Sequence, residues 1–293
     1  MKQILFVCSG NTCRSPMAAA LLNSLGDADF LATSAGLQAF AGDEMTKNAL
    51  EALTLCGTPE HPDNPYGRHR SSPIHPLHLE QADIVVGITA KHCEILQAAF
   101  PEFAHKIIPF PSDIPDPYGG DRHTYLTCLA KLRLGVYELY RAWKKGENGV
   151  VPMIKSDIPA VLDIENKSFS VPWSEDSFRV SLENPCTHLW VALVDGEVAG
   201  YSAHMVLFED AELYNIAVSP DHRRMGLGQK LLSHVIDDCK KRGGEELHLE
   251  VRDSNLAART LYEQNGFAIE GKRKNYYQKP TEDAILMCLS VQK

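Results

Sequence analysis

The stretch that most constrains the fold lies near the start of the chain, where residues 4–16 read ILFVCSGNTCRSP. Residues 4–7 are apolar and β-prone, so they predict a short buried strand. The small residues that follow, 8–14, predict a tight loop. Ser15 is a residue type that caps helices and Pro16 suits a first helical turn, so we expect a helix to begin here with Ser15 as its cap.

A strand, a tight loop and a helix N-terminus together form a cradle for an anion. Backbone N–H groups point into such a loop, and the helix dipole adds partial positive charge. Arg14 supplies a planar guanidinium that suits two phosphate oxygens. Cys8 lies at the mouth of the cradle, where the positive field favours the thiolate, the nucleophilic form of cysteine. The alternative is a structural cysteine buried at the end of a strand.

The rest of the first half alternates between predicted strands and helices. Further strands are expected at residues 31–33, 84–86 and 106–110, and helices at 45–55, 90–100 and 125–145. This alternation predicts an α/β fold with a doubly wound parallel sheet, which places ligands at the carboxyl ends of its strands. A cysteine that attacks phosphorus needs a general acid for the leaving group, and Asp116 in an Asp-Pro-Tyr loop is the best candidate. Asp-Pro is also a common turn dipeptide.

Four motifs in this half resemble the low-molecular-weight protein phosphatases, over about residues 1–146. They are the loop at 8–15, Ser34-Ala35-Gly36, the segment at 69–72 and the loop at 116–120. The resemblance implies that Cys8 is the nucleophile, Arg14 the phosphate clamp and Asp116 the general acid. It also implies phosphate-binding and loop-supporting roles for Ser9, Gly10, Asn11, Thr12, Cys13, Ser15, Ser34 and His69.

Thr12 bears on the substrate, which the resemblance implies is a phosphoprotein. Tyrosine phosphatases of this family usually carry a bulky aliphatic residue at this position, whereas bacterial protein arginine phosphatases carry threonine. Thr12 therefore favours phosphoarginine, with phosphotyrosine as the alternative. Cys13 could trap an oxidised Cys8 as a reversible disulfide, or it could simply pack in the loop.

The second half of the chain begins after a glycine-rich polar segment. We expect a phosphatase domain at residues 1–146, a linker at 147–152 and a second domain at 153–293. A strand at 212–218 is followed by Arg223, Arg224, Met225, Gly226, Leu227 and Gly228, and then by a helix. This second cradle has glycines and arginines but no nucleophile, which suits a diphosphate held by backbone N–H groups.

This half resembles the GNAT N-acetyltransferases, and among them the ribosomal-protein-alanine type known as RimI. The similarity includes the segments at 169–174, 215–218, 249–252, 255–258 and 275–277. It implies a mixed-sheet GNAT fold and acetyl-CoA as the cosubstrate. The diphosphate would bind at 223–228, and the remaining cofactor contacts would come from Ile216, Ala217, Val218 and Asn255.

The chemistry of the second domain would be attack of an amine on a thioester, which needs a base and an acid. The resemblance implies Glu250 as the base, acting through water, and Tyr262 as the acid. The expected acceptor is the N-terminal peptide of a ribosomal protein, with a small-molecule amine as the alternative. A different class of function is a regulatory fusion, in which one domain has lost catalysis and only binds.

Charge and cysteine content limit the other possibilities. The net charge of −9 gives no indication of nucleic-acid or membrane binding. Eight cysteines occur without a Cys-x-x-Cys pair, so we expect neither a disulfide scaffold nor a metal site. Cysteine usage of this kind is typical of a reducing cytoplasm.

Overall fold

The computed structural model describes residues 1–291 and divides into two compact units between Trp143 and Lys144. The first unit alternates strands and helices, with short 3₁₀ turns at Tyr66–Arg68 and Pro101–Lys106. Its elements are β1 (Lys2–Cys8), α1 (Arg14–Asn23), β2 (Phe30–Gly36), α2 (Lys47–Leu55), α3 (Pro76–Gln81), β3 (Ile84–Gly87), α4 (Ala90–Ala99), β4 (Ile107–Pro109) and α5 (Arg122–Trp143).

The sheet of the first unit is parallel throughout and has the order β2-β1-β3-β4. Strand β1 lies between β2 and β3, so the chain leaves it first toward one edge of the sheet and later toward the other. Parallel sheets open a crevice at such a switch point, beyond the carboxyl ends of the strands. Cys8 is the last residue of β1 and therefore lies at this crevice.

The expectation that Ser15 caps α1 is wrong. The helix begins at Arg14, and the residue at the cap position is Cys13, which makes no side-chain capping bond. The Ser15 hydroxyl lies 3.0 Å from Cys8 Sγ and accepts a hydrogen bond of 3.0 Å from Asn11 Nδ2. Ser15 therefore lies within the first turn of α1, and its hydroxyl contacts loop residues instead of capping the helix.

The second unit consists mainly of one large sheet with helices on its faces. It has 3₁₀ turns at Lys155–Asp157 and Pro220–His222. Its elements are β5 (Gly149–Pro152), α6 (Ile158–Ser168), α7 (Glu175–Glu183), β6 (Thr187–Val194), β7 (Glu197–Leu207), β8 (Asp210–Val218), α8 (Leu227–Lys241), β9 (Glu246–Arg252), α9 (Leu256–Gln264), β10 (Ala268–Tyr277) and β11 (Glu282–Ser290).

The sheet of the second unit is mixed and has the order β10-β11-β9-β8-β7-β6-β5. All neighbouring strands are antiparallel except β8 and β9, which run parallel. Strand β5, at one edge, is formed by residues within the segment expected to be a linker, and it pairs with β6. The alternating burial of β9 places Leu247, Leu249 and Val251 in the core and leaves Glu250 on the opposite face.

Among residues 1–291, no helix has the length and apolar character that a membrane crossing requires.

Candidate active sites

Cys8 is enclosed by hydrogen-bonding groups of its own loop. The Asn11 backbone N–H points at Cys8 Sγ over 3.3 Å, and the Ser15 hydroxyl lies 3.0 Å from the same sulfur. The side chains of Cys8 and Ser15 are buried at the start of α1, where the N–H groups of the first turn lack helical partners. This arrangement can stabilise negative charge on the sulfur or on an anion beside it.

Asn11 fixes the shape of the loop. Its φ of 54° lies in the left-handed region, which costs a non-glycine residue roughly 1–2 kcal/mol. Its Nδ2 donates to the hydroxyls of Ser15 (3.0 Å) and Ser34 (2.9 Å), and its Oδ1 accepts from the Ser72 N–H at 2.8 Å. Three side-chain hydrogen bonds, each contributing about 1 kcal/mol, offset the cost of the unfavourable backbone.

Two neutral histidines brace the loop from outside. Burial lowers the pKa of His69, and its Nε2–H donates to the Asn11 carbonyl at 2.7 Å. Burial and the positive charge of Arg14 lower the pKa of His92 to about 4. His92 accepts the Thr89 N–H at Nδ1, so its Nε2–H is free to donate to the Ser9 hydroxyl at 3.1 Å. One neutral ring thus holds the start of the loop at Ser9, and the other holds its middle at Asn11.

Arg14 and Asp116 form an ion pair in this structure. Arg14 donates to Asp116 Oδ2 at 2.6 Å and to the Ile114 carbonyl at 3.1 Å. The Arg14 side chain is 7% exposed, whereas that of Asp116 is 51% exposed, so the pair joins a buried cation to a solvent-facing carboxylate.

One cleft brings most of the predicted phosphatase residues together. It is lined by Cys8, Gly10, Asn11, Thr12, Cys13, Arg14, Gln38, Phe40, Asp43, Glu44, Thr46, Asp116 and Tyr118. Ser15, Ser34 and His69 support the loop through the contacts described above. Cys13 shares the cleft with Cys8, and its sulfur lies 3.3 Å from both the Thr46 hydroxyl and the Tyr125 hydroxyl.

In the second unit, the sheet opens between β8 and β9. Strand pairing in the described residues joins Asp210–Leu213 to Glu246–Leu249 and stops there. Strand β8 continues to Val218 and stays paired with β7 on its other side. Alternate backbone groups of Ile216, Ala217 and Val218 therefore face a gap rather than a strand, which is an edge that an extended ligand can pair with.

The loop before α8 is the segment predicted to form a second anion cradle. Arg224 and Gly226 have φ values of 64° and 77°, and Gly226 is the residue before the first turn of α8. A side chain at Gly228 would meet its nearest neighbours only at 3.7 Å, so this turn of the helix is uncrowded. The loop is mostly exposed, as a site for a soluble anion requires. Asn255, further along the chain, caps α9 by accepting the Ala258 N–H.

Glu250 lies on β9 and Tyr262 on α9, and Tyr277 is within electrostatic reach of both side chains. Glu250 forms an ion pair with Arg273 of β10, and its side chain is 20% exposed. Tyr262 is buried. Burial is the main cause that raises the pKa of its phenol, and the nearby Tyr277 raises it further. Burial and the Glu250 carboxylate also raise the pKa of Tyr277, to about 12. Both phenols therefore stay protonated to a higher pH than an ordinary tyrosine does.

A buried carboxyl supports the open edge of β8. Glu165 of α6 accepts hydrogen bonds from the Trp173 N–H (2.8 Å), from Asn215 Nδ2 (3.2 Å) and from the Tyr201 hydroxyl. Asn215 directly precedes Ile216, so this network fixes the start of the edge. Burial raises the pKa of Glu165 to about 7, against the opposing effect of the Trp173 N–H.

Sequence reasoning missed His92, Arg273 and Glu165. Each contacts a predicted residue, or the residue beside one, from a distant part of the chain: His92 is 83 residues from Ser9, and Arg273 is 23 residues from Glu250. Spacing within a motif cannot detect such partners. The Thr89–His92 capping box, which begins a helix, was the one local signal that could have pointed to His92.

The two sheets and their loops define a two-domain enzyme, in which a phosphatase-type unit is joined to an acetyltransferase-type unit. Residues 3–148 match the family described as low molecular weight phosphotyrosine protein phosphatase. Residues 158–267 match the acetyltransferase (GNAT) family. The chain therefore belongs to the low-molecular-weight phosphatases through its first half and to the GNAT acetyltransferases through its second half.

Similar proteins each correspond to about one half of the chain. The putative [ribosomal protein bS18]-alanine N-acetyltransferase of Bacillus subtilis is 40% identical over 148 residues, which is 50% of this chain and 98% of that protein. The [ribosomal protein bS18]-alanine N-acetyltransferase of Escherichia coli is also 40% identical over 148 residues, with 49% and 98% covered.

Solved structures are similar to each half. The ribosomal-protein-S18-alanine N-acetyltransferase from Escherichia coli has 39% identity and a TM-score of 0.47, with 50% of this chain and 96% of that chain covered. The YwlE arginine phosphatase from Geobacillus stearothermophilus has 32% identity and a TM-score of 0.44, with 49% and 94% covered.

The buried carboxyl predicts a pH-dependent stability of the second unit. Folded Glu165 holds its proton up to a pH of about 7, whereas its ordinary pKa is 4.5. The folded unit therefore binds more protons between these values, and its free energy of unfolding falls as the pH rises through this window, by up to about 3 kcal/mol.

Glu165→Gln should flatten this dependence of the unfolding free energy on pH, measured by urea unfolding at pH 5 and 7.5. Glu197→Gln, at an exposed glutamate, is the control, and an unchanged slope in Glu165→Gln would contradict the assignment.

Proposed function

We propose that the chain is a bifunctional enzyme. Its first unit hydrolyses protein phosphoarginine through a phosphocysteine intermediate, and its second unit transfers an acetyl group from acetyl-CoA to the N-terminal amine of a ribosomal protein. The observation that carries the first assignment is the buried Cys8 sulfur, which faces a backbone N–H and a hydroxyl in a cleft that the buried Arg14 also lines. The second rests on the open edge of β8 beside an uncrowded helix N-terminus.

The phosphatase reaction follows from the loop. The Cys8 thiolate attacks phosphorus while Ser15 donates to the sulfur and Arg14 binds two phosphoryl oxygens. The bond between phosphorus and the leaving nitrogen breaks, and Asp116 supplies the proton to that nitrogen. A water molecule then attacks the phosphocysteine and gives its proton to Asp116, which releases phosphate and restores the thiolate.

The ion pair between Arg14 and Asp116 suits a site with two arrangements, one in which Asp116 is paired with Arg14 and one in which it is released. When a phosphoryl group takes the guanidinium of Arg14, Asp116 loses its partner and becomes available at the leaving atom. The exposed carboxyl and the flanking Pro117-Tyr118 turn allow this exchange without movement of the buried arginine.

The rim of the cleft supports phosphoarginine. Asp43 and Glu44 line the same cleft as Thr12. Glu44 forms an ion pair with Arg70 at 2.9 Å, so Asp43 is the carboxylate that suits a substrate guanidinium. The alternative substrate, phosphotyrosine, is favoured by a different observation. Phe40 and Tyr118 line the same cleft and are 79% and 74% exposed, so they could stack on a phenyl ring.

Replacement of the nucleophile tests the phosphatase assignment. Cys8→Ser should lower the rate of phosphate release by about a thousandfold or more, because the hydroxyl is a far weaker nucleophile than the thiolate. The measurement is steady-state phosphate release from phosphoarginine and phosphotyrosine peptides. Cys186→Ser, in the second unit, should retain full phosphatase activity. Turnover that survives in Cys8→Ser would rule out the proposed nucleophile.

Replacement of Thr12 tests the substrate. Thr12→Ile should shift the ratio of kcat/KM toward phosphotyrosine by about tenfold, which corresponds to roughly 1.4 kcal/mol of transition-state binding. Thr12→Val, which has the same shape, isolates the contribution of the hydroxyl, and Thr12→Ser keeps the hydroxyl and serves as the control. If Thr12→Ile and Thr12→Val leave the ratio as in Thr12→Ser, the hydroxyl does not select the substrate.

The proposed acetyl-transfer reaction uses the open edge of β8 and the loop before α8. The pantetheine arm of acetyl-CoA would pair with the backbone of residues 216–218, and its diphosphate would lie on the N–H groups of residues 223–228. Glu250 accepts a proton from the amine through water, the nitrogen attacks the thioester carbon, and Tyr262 protonates the departing thiolate. The Tyr262 phenol carries its proton at neutral pH, and burial raises its pKa further above that range.

The acceptor is proposed from the similar proteins. Those at 40% identity are named for the alanine of ribosomal protein bS18, and we propose the same N-terminal alanine here. The other acceptor class is a small-molecule amine. Competition between a bS18 N-terminal peptide and simple amines, measured by acetyl-CoA consumption, separates the two.

Removal of the base and the acid tests the acetyltransferase site. Glu250→Gln and Tyr262→Phe should each lower kcat by about 10²- to 10⁴-fold, with little change in acetyl-CoA affinity, because both groups act on protons and not on the cofactor. Tyr66→Phe, which makes the same tyrosine-to-phenylalanine change in the first unit, is the control and should retain kcat. Normal kcat in both test variants would remove the proposed roles and favour a unit that only binds acetyl-CoA.

A further inference from the structure

A second group of reactive side chains lies on the outer face of the second sheet. His248 of β9 is directly opposite Cys288 of β11 in the strand register, and Glu246 lies two residues earlier on the same face of β9. One ligand atom from each of these three side chains lies within 4.8 Å of the other two. With Glu270 of β10, they form what we call the Glu-His-Cys cluster (Glu246, His248, Glu270, Cys288).

Both nitrogens of His248 have carboxylate neighbours. Nε2 lies 3.3 Å from Glu246 Oε2, and Nδ1 lies 3.5 Å from Glu270 Oε2. A histidine that binds a metal usually donates its second ring N–H to a carboxylate, which orients the ring. Whichever nitrogen of His248 binds a cation, the other already has such a partner.

The cluster carries uncompensated negative charge. Among the described residues, His248 is the only basic side chain within ion-pairing distance of Glu246 and Glu270. Burial and these two carboxylates raise the pKa of the Cys288 thiol to about 11. The side chain of His248 is 39% exposed, so the cluster is open to a cation from solvent.

We propose that the Glu-His-Cys cluster binds one divalent cation of the zinc class. Sulfur, imidazole nitrogen and carboxylate oxygen are the donors that Zn²⁺ takes, and cations that prefer only oxygen would not use the thiol. Cys288, His248 and Glu246 are the ligands, and Glu270 orients the histidine. Binding displaces the thiol proton to solvent. The cation would clip β9 to β11, on the same face of the sheet as Glu250 but independent of the proposed reactions.

The ordinary explanation of the same side chains is a pair of surface contacts between a histidine and two glutamates. Such contacts contribute little to stability and bind nothing. The two explanations differ in whether the thiol of Cys288 acts as a ligand.

The experiment uses full-length Cys8→Ser protein, so that the first unit offers no reactive thiolate, freed of metal by dialysis against a chelator. Zn²⁺ titration followed by calorimetry should show one equivalent bound. Co²⁺ in its place should give a thiolate-to-cobalt absorption band. In this background, Cys288→Ser should remove the band, and it and His248→Gln should each raise Kd by about a hundredfold.

Two further variants complete the design. Glu270→Gln should raise Kd by about tenfold, because it loses only the group that orients the histidine. Glu270 lies on the surface, so this variant tests the cluster even if Cys288→Ser fails to fold. His123→Gln, at an exposed histidine in the first unit, should leave Kd unchanged. The proposal is overturned if no equivalent binds, if Co²⁺ gives no thiolate band, or if Glu270→Gln and Cys288→Ser both bind as tightly as their parent.

Discussion

The N–H groups at the start of a helix have no partners within the helix, and the candidate sites of both units are built around such unpaired N–H groups. In each unit a strand leads to a loop that turns these groups toward a possible ligand. A left-handed residue makes the turn in both cases, Asn11 before α1 and Gly226 before α8. The rest of each unit serves to hold that turn in place.

The two turns are stabilised by opposite means. Glycine at 226 adopts the left-handed conformation without steric cost, although Arg224 in the same exposed loop carries that cost. Asparagine at 11 incurs that cost, but its side chain joins the start of α1 to Ser34 and Ser72. The first loop is therefore held by side-chain hydrogen bonds, which suits the proposed covalent chemistry at Cys8, whereas the exposed second loop suits the proposed exchange of a soluble ligand.

Neutral groups dominate the supports of the first loop. His69 and His92 both have lowered pKa values, and each donates one N–H to the loop. A protonated histidine beside Arg14 would compete with the guanidinium for the anion. Their neutrality leaves Arg14 as the cation that an arriving phosphoryl group meets in the cleft.

The sequence predicted much of this fold because the loops that hold the candidate site residues are local motifs. The loop at 8–15, the cradle at 223–228 and the alternation on β9 depend on residues close together in the chain, and local spacing shows them. The cap of α1 was predicted wrongly because the Ser15 hydroxyl bonds Cys8 and Asn11 instead of the helix. Arg273, Glu165 and the Glu-His-Cys cluster could not be predicted, since their partners come from separate strands and helices.

The gap between β8 and β9 makes the second unit an unfinished sheet. Strand β8 is fully bonded on one side, but past Leu213 its other side has no strand in the described residues. A cosubstrate that pairs with residues 216–218 would act as a temporary strand that is not made of peptide. The same backbone groups would then belong to water in one part of the catalytic cycle and to the ligand in the other, so the sheet itself would be assembled and dismantled once per turnover.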